Sequence, residues 1–470
     1  MLKGRQMKMF GLKQGLLAAS GALALSAFAA GPAGAIELKE AIQIAVDSNP
    51  QVNQAIQDKQ AIEFERKQAQ GLYLPRLDAE VSGGVERLDS PTRRALGLQT
   101  QTLSPVEGSL TLQETLFDSG SRRSELERQA ARTDGAATRV GERAEFIALE
   151  TAREYLNYLL QQRLVAAAQD NVAYHEKMVS DLGEGVRSGS ISVADQQQAQ
   201  ERLDAARARV VEAREGLVNA MIAFTTRTGV PLDQVSMPPE LPIPGTLNDA
   251  IGIARENNPT IKIAVSDVDA ADAVVRKTQS DLWPKVALEA RARTGHDVDG
   301  FAGRTNDVLA RVVLRWSLYS GGINQANVQE QVRRASEQRY VLHQTTRQAE
   351  EDVRTAWNRE EQQAALVQEL TRETQSADQL IGSYADQFKV GRRSLLDLLD
   401  TQNTRYNSQV LLETARFAEI FARYKLLAAT GQLLDTLGIQ RPHDATADSR
   451  ARFKVPPTPP AEVMRRRHAN

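Results

Sequence analysis

Leu38-Lys39-Glu40-Ala41-Ile42-Gln43-Ile44-Ala45, running on to Asn49-Pro50, decides the fold because the chain writes it twice. It returns as Leu247-Asn248-Asp249-Ala250-Ile251-Gly252-Ile253-Ala254, running on to Asn258-Pro259. The register holds without a gap to Tyr73-Leu74-Pro75-Arg76 and Leu282-Trp283-Pro284-Lys285. Beyond that point the offset shortens by seven residues and stays constant. It pairs Leu116-Phe117 with Leu318-Tyr319, Gly120 with Gly322, Gly189 with Gly391, Asp195 with Asp397, and Thr228-Gly229 with Thr430-Gly431. The change falls between Pro75 and Phe117, with the extra residues expected around Asp89 to Gln101. A repeat this long is not a solenoid unit but one structural unit duplicated.

Within each copy the period changes once. A first helix stops near the Asn-Pro pair, since the residue before proline disfavours the helical region. A second helix is expected from Pro50 to Leu72, and from Pro259 to Leu282. The period then becomes two. Leu77, Ala79, Val81, Gly83 and Val85 alternate with Asp78, Glu80, Ser82 and Glu86, and Val106, Gly108, Leu110 and Leu112 alternate with Glu107, Ser109, Thr111 and Gln113. In the second copy Val286, Leu288, Ala290 and Ala292 alternate with Lys285, Glu289, Arg291 and Arg293, and Val308, Ala310, Val312, Leu314 and Trp316 with Asp307, Arg311, Arg315 and Ser317. These hairpins, about 76–117 and about 285–319, have the length and one-sided apolarity of strands that span an outer membrane. Tyr73, Trp283, Phe117 and Tyr319 stand at their ends, where an interfacial aromatic girdle belongs.

After each hairpin a very long polar helix is expected, about Ser121 to Glu184 and about Ile323 to Lys389. More than sixty residues at ~1.5 Å each reach about 95–100 Å. Ala152, Leu159, Ala166 and Ala173 recur every seven residues, as do Ala349, Ala356, Leu370 and Ala377 with Gln363 interrupting, marking a small-residue coiled-coil seam. Gly-containing turns follow at Arg187-Ser188-Gly189-Ser190 and Val390-Gly391-Arg392-Arg393, and returning helices run to Gly229 and Gly438.

The remaining segments frame the copies. Residues 1–35 read as a secretory signal: Lys3, Arg5, Lys8 and Lys13, then an apolar stretch from Leu16 to Ala30, then Ala33-Gly34-Ala35 before Ile36. The copies occupy 36–229 and 247–438, with a Pro-rich linker at 230–246 and a Pro-rich, basic, disordered tail at 439–470 that holds Arg465-Arg466-Arg467. Net charge is −2, with no basic excess to suggest nucleic acid. With no cysteine there is no disulfide, thiolate metal site, cysteine nucleophile or acylated N-terminal cysteine. The five histidines are scattered, and no nucleophile motif or phosphate loop occurs, so neither an enzyme nor a cofactor is expected. Asp297-x-Asp299-Gly300 lacks the further ligands of a calcium loop and is expected to cap an exposed hairpin loop.

Two hairpins give four strands, which cannot close. An open edge in lipid leaves backbone groups unpaired at several kcal/mol each. The barrel is therefore shared among subunits. Three chains give twelve strands and four give sixteen, and strand physics does not choose between them. The rival class, a secreted coiled-coil structural protein, accounts for the helices but not for the strands.

On these features the chain resembles the TolC family of outer-membrane efflux and secretion channels, over about residues 36–438. The paired Leu-x-x-Ala-Ile…Asn-Pro openings, Phe117-Asp118-Ser119-Gly120, Tyr319-Ser320-Gly321-Gly322, and Val390-Gly391-Arg392-Arg393-Ser394-Leu395-Leu396-Asp397-Leu398-Leu399-Asp400 carry the resemblance. It implies a homotrimer with a twelve-stranded barrel in the outer membrane, a long periplasmic α-barrel, a periplasmic adaptor and an inner-membrane ABC or proton-driven pump. It implies a periplasmic gate formed by Asp397 and Asp400, with Arg393 as a bridge and Asp195 as the matching acid on the first helical hairpin. The turns around Gly189, Ser190, Val390, Gly391 and Arg392 would dock the adaptor. The missing cysteine tilts the reading toward non-acylated channels serving type I protein secretion, with multidrug efflux as the alternative.

Overall fold

A computed structural model describes residues 37–97, 100–230, 232 and 235–458. The expected signal segment and the basic run at Arg465–Arg467 lie outside the described residues. The duplication is visible as matched lengths. The first copy gives α1 (Leu38–Ser48), α2 (Pro50–Gly71), β1 (Arg76–Gly83), then β2 (Glu86–Leu88), α3 (Pro91–Ala95) and β3 (Gln101–Leu103), then β4 (Val106–Phe117), α4 (Ser121–Arg187) and α5 (Val193–Thr228). The second gives α6 (Leu247–Asn257), α7 (Pro259–Gln279), β5 (Lys285–His296), β6 (Arg304–Arg315), α8 (Ile323–Lys389) and α9 (Leu395–Thr430). α4 and α8 are 67 residues each and α5 and α9 are 36 each. The longer helices thus extend about 100 Å and the shorter about 54 Å.

The helix ends follow local chemistry. Asn49 and Asn258 cap α2 and α7, each accepting from the amide two residues on, with proline at the first helical position. Gly120 and Gly322 open α4 and α8 with φ near 89° and 83°, a left-handed turn that favours glycine and swings the chain from strand into helix.

The apolar core gathers at mid-height on α4, where α1, α5, α9 and the short helix α10 (Leu433–Leu437) meet around Tyr155, Phe224, Tyr424 and Leu427. Tyr155 pins the Pro-rich linker by donating to the Ser236 carbonyl at 2.8 Å and accepting from its amide at 3.1 Å. Further down α4, Ala166 and Ala173 are exposed, and the buried line runs through Ala168, His175 and Leu182. That line still steps by seven residues but stands two residues, about 200° around the helix, from the expected seam, because here α4 faces α9, with Asn171 bonded to Gln402 and Leu182 packed on Leu399. Ala349, Ala356 and Ala377 on α8 are buried as expected.

Two other expectations are corrected. The last long helix ends at Thr430, where Gly431 takes φ 77°, and not at Gly438. The segment after Ile439 is not a disordered tail as far as Thr458. It forms a 3-10 turn at His443–Ala445 and the short helix α11 (Ser449–Arg452), and it is fastened by charge. Buried Asp134 on α4 accepts from the Ser449 and Arg450 amides at 2.7 and 3.0 Å and from Arg450 Nε at 3.1 Å. Arg450 Nη1 also donates to buried Asp269 on α7 at 2.8 Å. Arg66 on α2 donates to Ser449 Oγ and stacks over the Phe453 ring. The composition suggested disorder, but specific partners on both copies hold the segment in place.

The four long strands form one antiparallel sheet in the order β1-β4-β5-β6. Register places Leu77, Leu112, Ala290 and Ala310 in one row and Ala79, Leu110, Ala292 and Val308 in the next. The opposite face carries Asp78, Thr111 and Arg291, and Glu80, Ser109, Arg293 and Asp307. On that face Glu107 pairs with Arg291 at 2.7 Å and Glu289 with Arg311 at 2.9 Å. One face suits lipid and the other a wet lumen. β1 and β6 each lack a neighbour on their outer side, so the sheet is an arc awaiting copies of itself. No described helix is long and apolar enough to cross a membrane.

Candidate functional site

The far ends of the helical hairpins hold the candidate residues. α4 and α5 are joined around Gly189 (φ 75°), and α8 and α9 around Gly391 (φ 72°). The two tips pack on each other through Leu182, Ala199, Leu395 and Leu399, with Ile191 and Phe388 alongside.

Both returning helices begin alike. Ser394 Oγ accepts from the Asp397 amide at 3.2 Å, and the Asp397 carboxylate accepts from the Ser394 amide at 3.3 Å and hydroxyl at 2.9 Å, a complete capping box. The Ser394 hydrogen bonds, with a smaller contribution from Arg393, hold the Asp397 carboxyl below its usual pKa range. On α5 the side-chain half of this arrangement recurs: Ser192 Oγ accepts from the Asp195 amide at 3.1 Å and donates to its carboxylate at 2.7 Å. Asp397 and Asp195 are thus bound to their own helix starts.

Arg393 does not reach across to the first hairpin within the chain. Its guanidinium lies 4.2 Å over the Tyr384 ring, donates to Gln387 at 3.1 Å and stands 3.8 Å from Asp397. The charged link between the two hairpins is Arg202 on α5 to Asp400 on α9, at 3.7 Å. Sequence reasoning missed Arg202. Its signal was available in the repeat, where Thr404 stands in its place and Gln198 stands in the place of Asp400.

Higher up, α4 and α9 share buried polar groups. Gln402 donates to Asn171 at 2.9 Å, and both are buried. Buried His175 has its pKa lowered, first by desolvation and then by Arg202 and Arg209. Among the described residues no acidic, histidine or cysteine cluster could hold a metal. Val390, Gly391, Arg392 and Ser190 are exposed at the turns.

At the other end of the helices, Tyr73, Phe117, Trp283 and Tyr319 are all exposed and lie together at the sheet-to-helix boundary. Arg122 stands 4.9 Å over the Tyr73 ring.

An amphipathic arc of strands that needs neighbours, carried on ~100 Å helical hairpins with charged tips, defines a subunit of an oligomeric outer-membrane channel. The chain belongs to the outer membrane efflux protein family, whose model matches residues 41–230 and 250–434, one span per copy. The alkaline protease secretion protein AprF of Pseudomonas aeruginosa is 24% identical over 414 residues, covering 85% of each chain. Outer membrane protein TolC of Escherichia coli is 24% identical over 418 residues, covering 84% of this chain and 82% of its own. The Campylobacter jejuni CmeC outer membrane channel superposes with a TM-score of 0.72 at 15% identity, over 89% of each chain. The expected fold, long helical hairpins plus four strands in a shared trimeric barrel, is the fold of this family. The chain is an outer-membrane protein with a large periplasmic helical part.

Proposed function

We propose that three copies form the exit duct of a tripartite type I secretion system. A periplasmic adaptor would engage the tips at Ser190 and Arg392, and an inner-membrane ABC pump would feed polypeptide into the tube. The observation that carries this reading is the near full-length similarity to a relative named for secretion of a protease, covering 85% of both chains. Efflux is the second reading, favoured by the similarity to a Brucella suis relative named an outer membrane efflux protein, which spans 61% of this chain at 25% identity. Deleting the gene and comparing the culture medium with drug accumulation separates the two. The secretion reading expects a large polypeptide to vanish from the medium while drug accumulation stays unchanged. Raised drug accumulation with an intact secretome would replace it with efflux.

At the periplasmic end, Asp397 and Asp400 from three chains form an acidic ring that favours cations, with Arg393 helping to keep it narrow. Asp400 supports this best, since its side chain is 62% exposed and its one charged neighbour is on the other hairpin. Asp397→Ala with Asp400→Ala is expected to weaken cation selectivity in planar bilayers, and Arg393→Ser to raise conductance. Unchanged selectivity and conductance would remove the gate from these residues. Single cysteines at Ser190 and Arg392 should cross-link to the adaptor during transport, and absence of any adduct would refute the docking turns.

A further inference from the structure

The connection between β5 and β6, Asp297 to Gly303, does not point away from the barrel. Five observations fold it back over the polar face of its own hairpin. Arg293 and Gly295 belong to the polar row, level with Ser109 and Glu107. Arg293 reaches up to Asp299 with both terminal nitrogens, at 3.0 and 2.7 Å. Val298, buried at 4% exposure, sits over Gly295: a Cβ there would stand 2.8 Å from Val298 Cγ1 and 3.0 Å from the Val106 carbonyl oxygen. The loop also closes on itself. The Asp297 amide donates to the Gly303 carbonyl at 2.8 Å, and the Gly303 amide donates to the Asp297 carboxylate at 2.9 Å. Finally, Arg93 from α3 of the first hairpin donates to the Gly300 carbonyl at 2.6 Å, and a Cβ on Gly300 would meet Leu88 at 3.2 Å.

We infer that this loop narrows the extracellular mouth of the barrel, once per chain, and that Arg293 sets which cargo passes by holding Asp299 over the lumen. The polar face is the lumen because the other face is a continuous apolar surface from Leu77 to Val308 across all four strands. The loop is preformed, with both ends tied and a buried valine beneath, so it stays inward without a bound ligand. Three such loops admit small solutes and an extended polypeptide. A folded domain passes only if the Arg293–Asp299 link and the Arg93–Gly300 contact give way. This inference needs barrel closure but not the secretion reading.

The chain has no cysteine, so one introduced thiol reports alone. Thr111 lies on the polar face, deeper than Arg293 and level with Arg291. Thr111→Cys would be labelled from outside intact cells by a small charged methanethiosulfonate and by a polyethylene-glycol maleimide, with each rate normalised to that at Thr92→Cys on the exposed outer loop. The expected result is fast labelling by the small reagent and labelling at least about tenfold slower by the polymer. Asp299→Gly, which suits the φ of 58° there, should bring the polymer rate up to that of the small reagent, and Arg293→Ala should do the same. Equal normalised rates for both reagents in the unaltered trimer would overturn the constriction while leaving the channel intact. No polymer gain in either variant, with heat-modifiable trimers present, would overturn the role of Arg293. No labelling by the small reagent in any variant would overturn the lumen assignment itself.

Discussion

The two helical tips are built to one plan and filled differently. Ser192 and Ser394 start their helices alike, and Asp195 and Asp397 stand at the same third position. Around that shared start the copies part. Ile191 joins the apolar cluster between the tips, whereas its repeat partner Arg393 lies over Tyr384. Gln198 stands where the other tip has Asp400, and Thr404 where the other has Arg202. The duplication supplies the scaffold twice but the full charge set once per chain. A ring built from these tips therefore repeats with the number of chains, not with twice that number. The upper half shows the same asymmetry: the seam between the copies is clamped by a segment that follows only the second.

That clamp gives the largest expected effect. Arg450 serves one acid from each copy, Asp134 and Asp269, with side chains 3% and 4% exposed. Arg450→Ala leaves two buried carboxylates without their cation and should cost about 3–5 kcal/mol in denaturant unfolding followed by helical circular dichroism. Adding Asp134→Asn and Asp269→Asn should restore part of the loss. A shift near zero for the single variant would show that the copies hold together without the clamp.

Glu145 sharpens the same comparison through pH. It lies on α4 of the first copy and receives the Leu434 amide at 3.3 Å from the end of the second and Arg441 at 3.0 Å from just beyond it. Burial pushes its pKa up to about 7, against the pull of Arg441. A carboxyl raised on folding contributes stability below its unfolded pKa, and that contribution is lost as pH rises through the folded value. Stability should therefore fall by up to about 2–3 kcal/mol between pH 4.5 and 7. Glu145→Gln should flatten that slope, and an unchanged slope would assign the titration elsewhere.

What the sequence made legible follows from what each signal measures. Periodicity and the Asn-Pro and Gly punctuation depend on backbone and on the apolar face, so the repeat, the long helices and the register-ready strands could be read. Asp397 was read as a position but not as a cap, although Ser394-Leu395-Leu396-Asp397 carries the Ser-x-x-acid spacing of a capping box. Arg202 could have been singled out as a break in the repeat, but its pairing with Asp400, like the Asp134–Arg450–Asp269 clamp, was illegible for another reason. Their partners lie hundreds of residues apart, and a basic, Pro-rich composition carries no record of the two acids awaiting Arg450. The inward loop was half legible: the strand alternation put Arg293 on the polar side and Asp297 and Asp299 marked a capped turn, but only the structure shows Arg293 bound to Asp299 and Val298 seated over Gly295.

Cap removal tests how far the tips are equivalent. Ser192→Ala and Ser394→Ala should each cost about 1 kcal/mol, read as faster amide exchange in the first turns of α5 and α9. Equal costs would mean that the shared plan sets tip stability, and a much larger cost at Ser394 would mean that the neighbouring charges depend on it. Acid should add a further asymmetry. The Asp397 pKa is depressed, so its contribution persists above the ordinary carboxylate range and disappears as pH falls through the lowered value.

The smallest energy belongs to the link between the tips. Arg202 and Asp400 are 3.7 Å apart with side chains 39% and 62% exposed, and such a pair contributes about 0–1 kcal/mol. Arg202→Thr, which copies the second tip's residue into the first, should leave unfolding unchanged. Its effect should appear where small energies are read directly, in the closed-to-open equilibrium of the reconstituted channel. A shift of about 0.5 kcal/mol changes an open fraction roughly twofold. Raising salt should mimic the substitution in the unaltered trimer and have less effect in the variant, because an exposed pair is screened. If Arg202→Thr and salt act additively, the link does not hold the tips together. The difference between the copies would then rest on Asp400 and Arg393 alone.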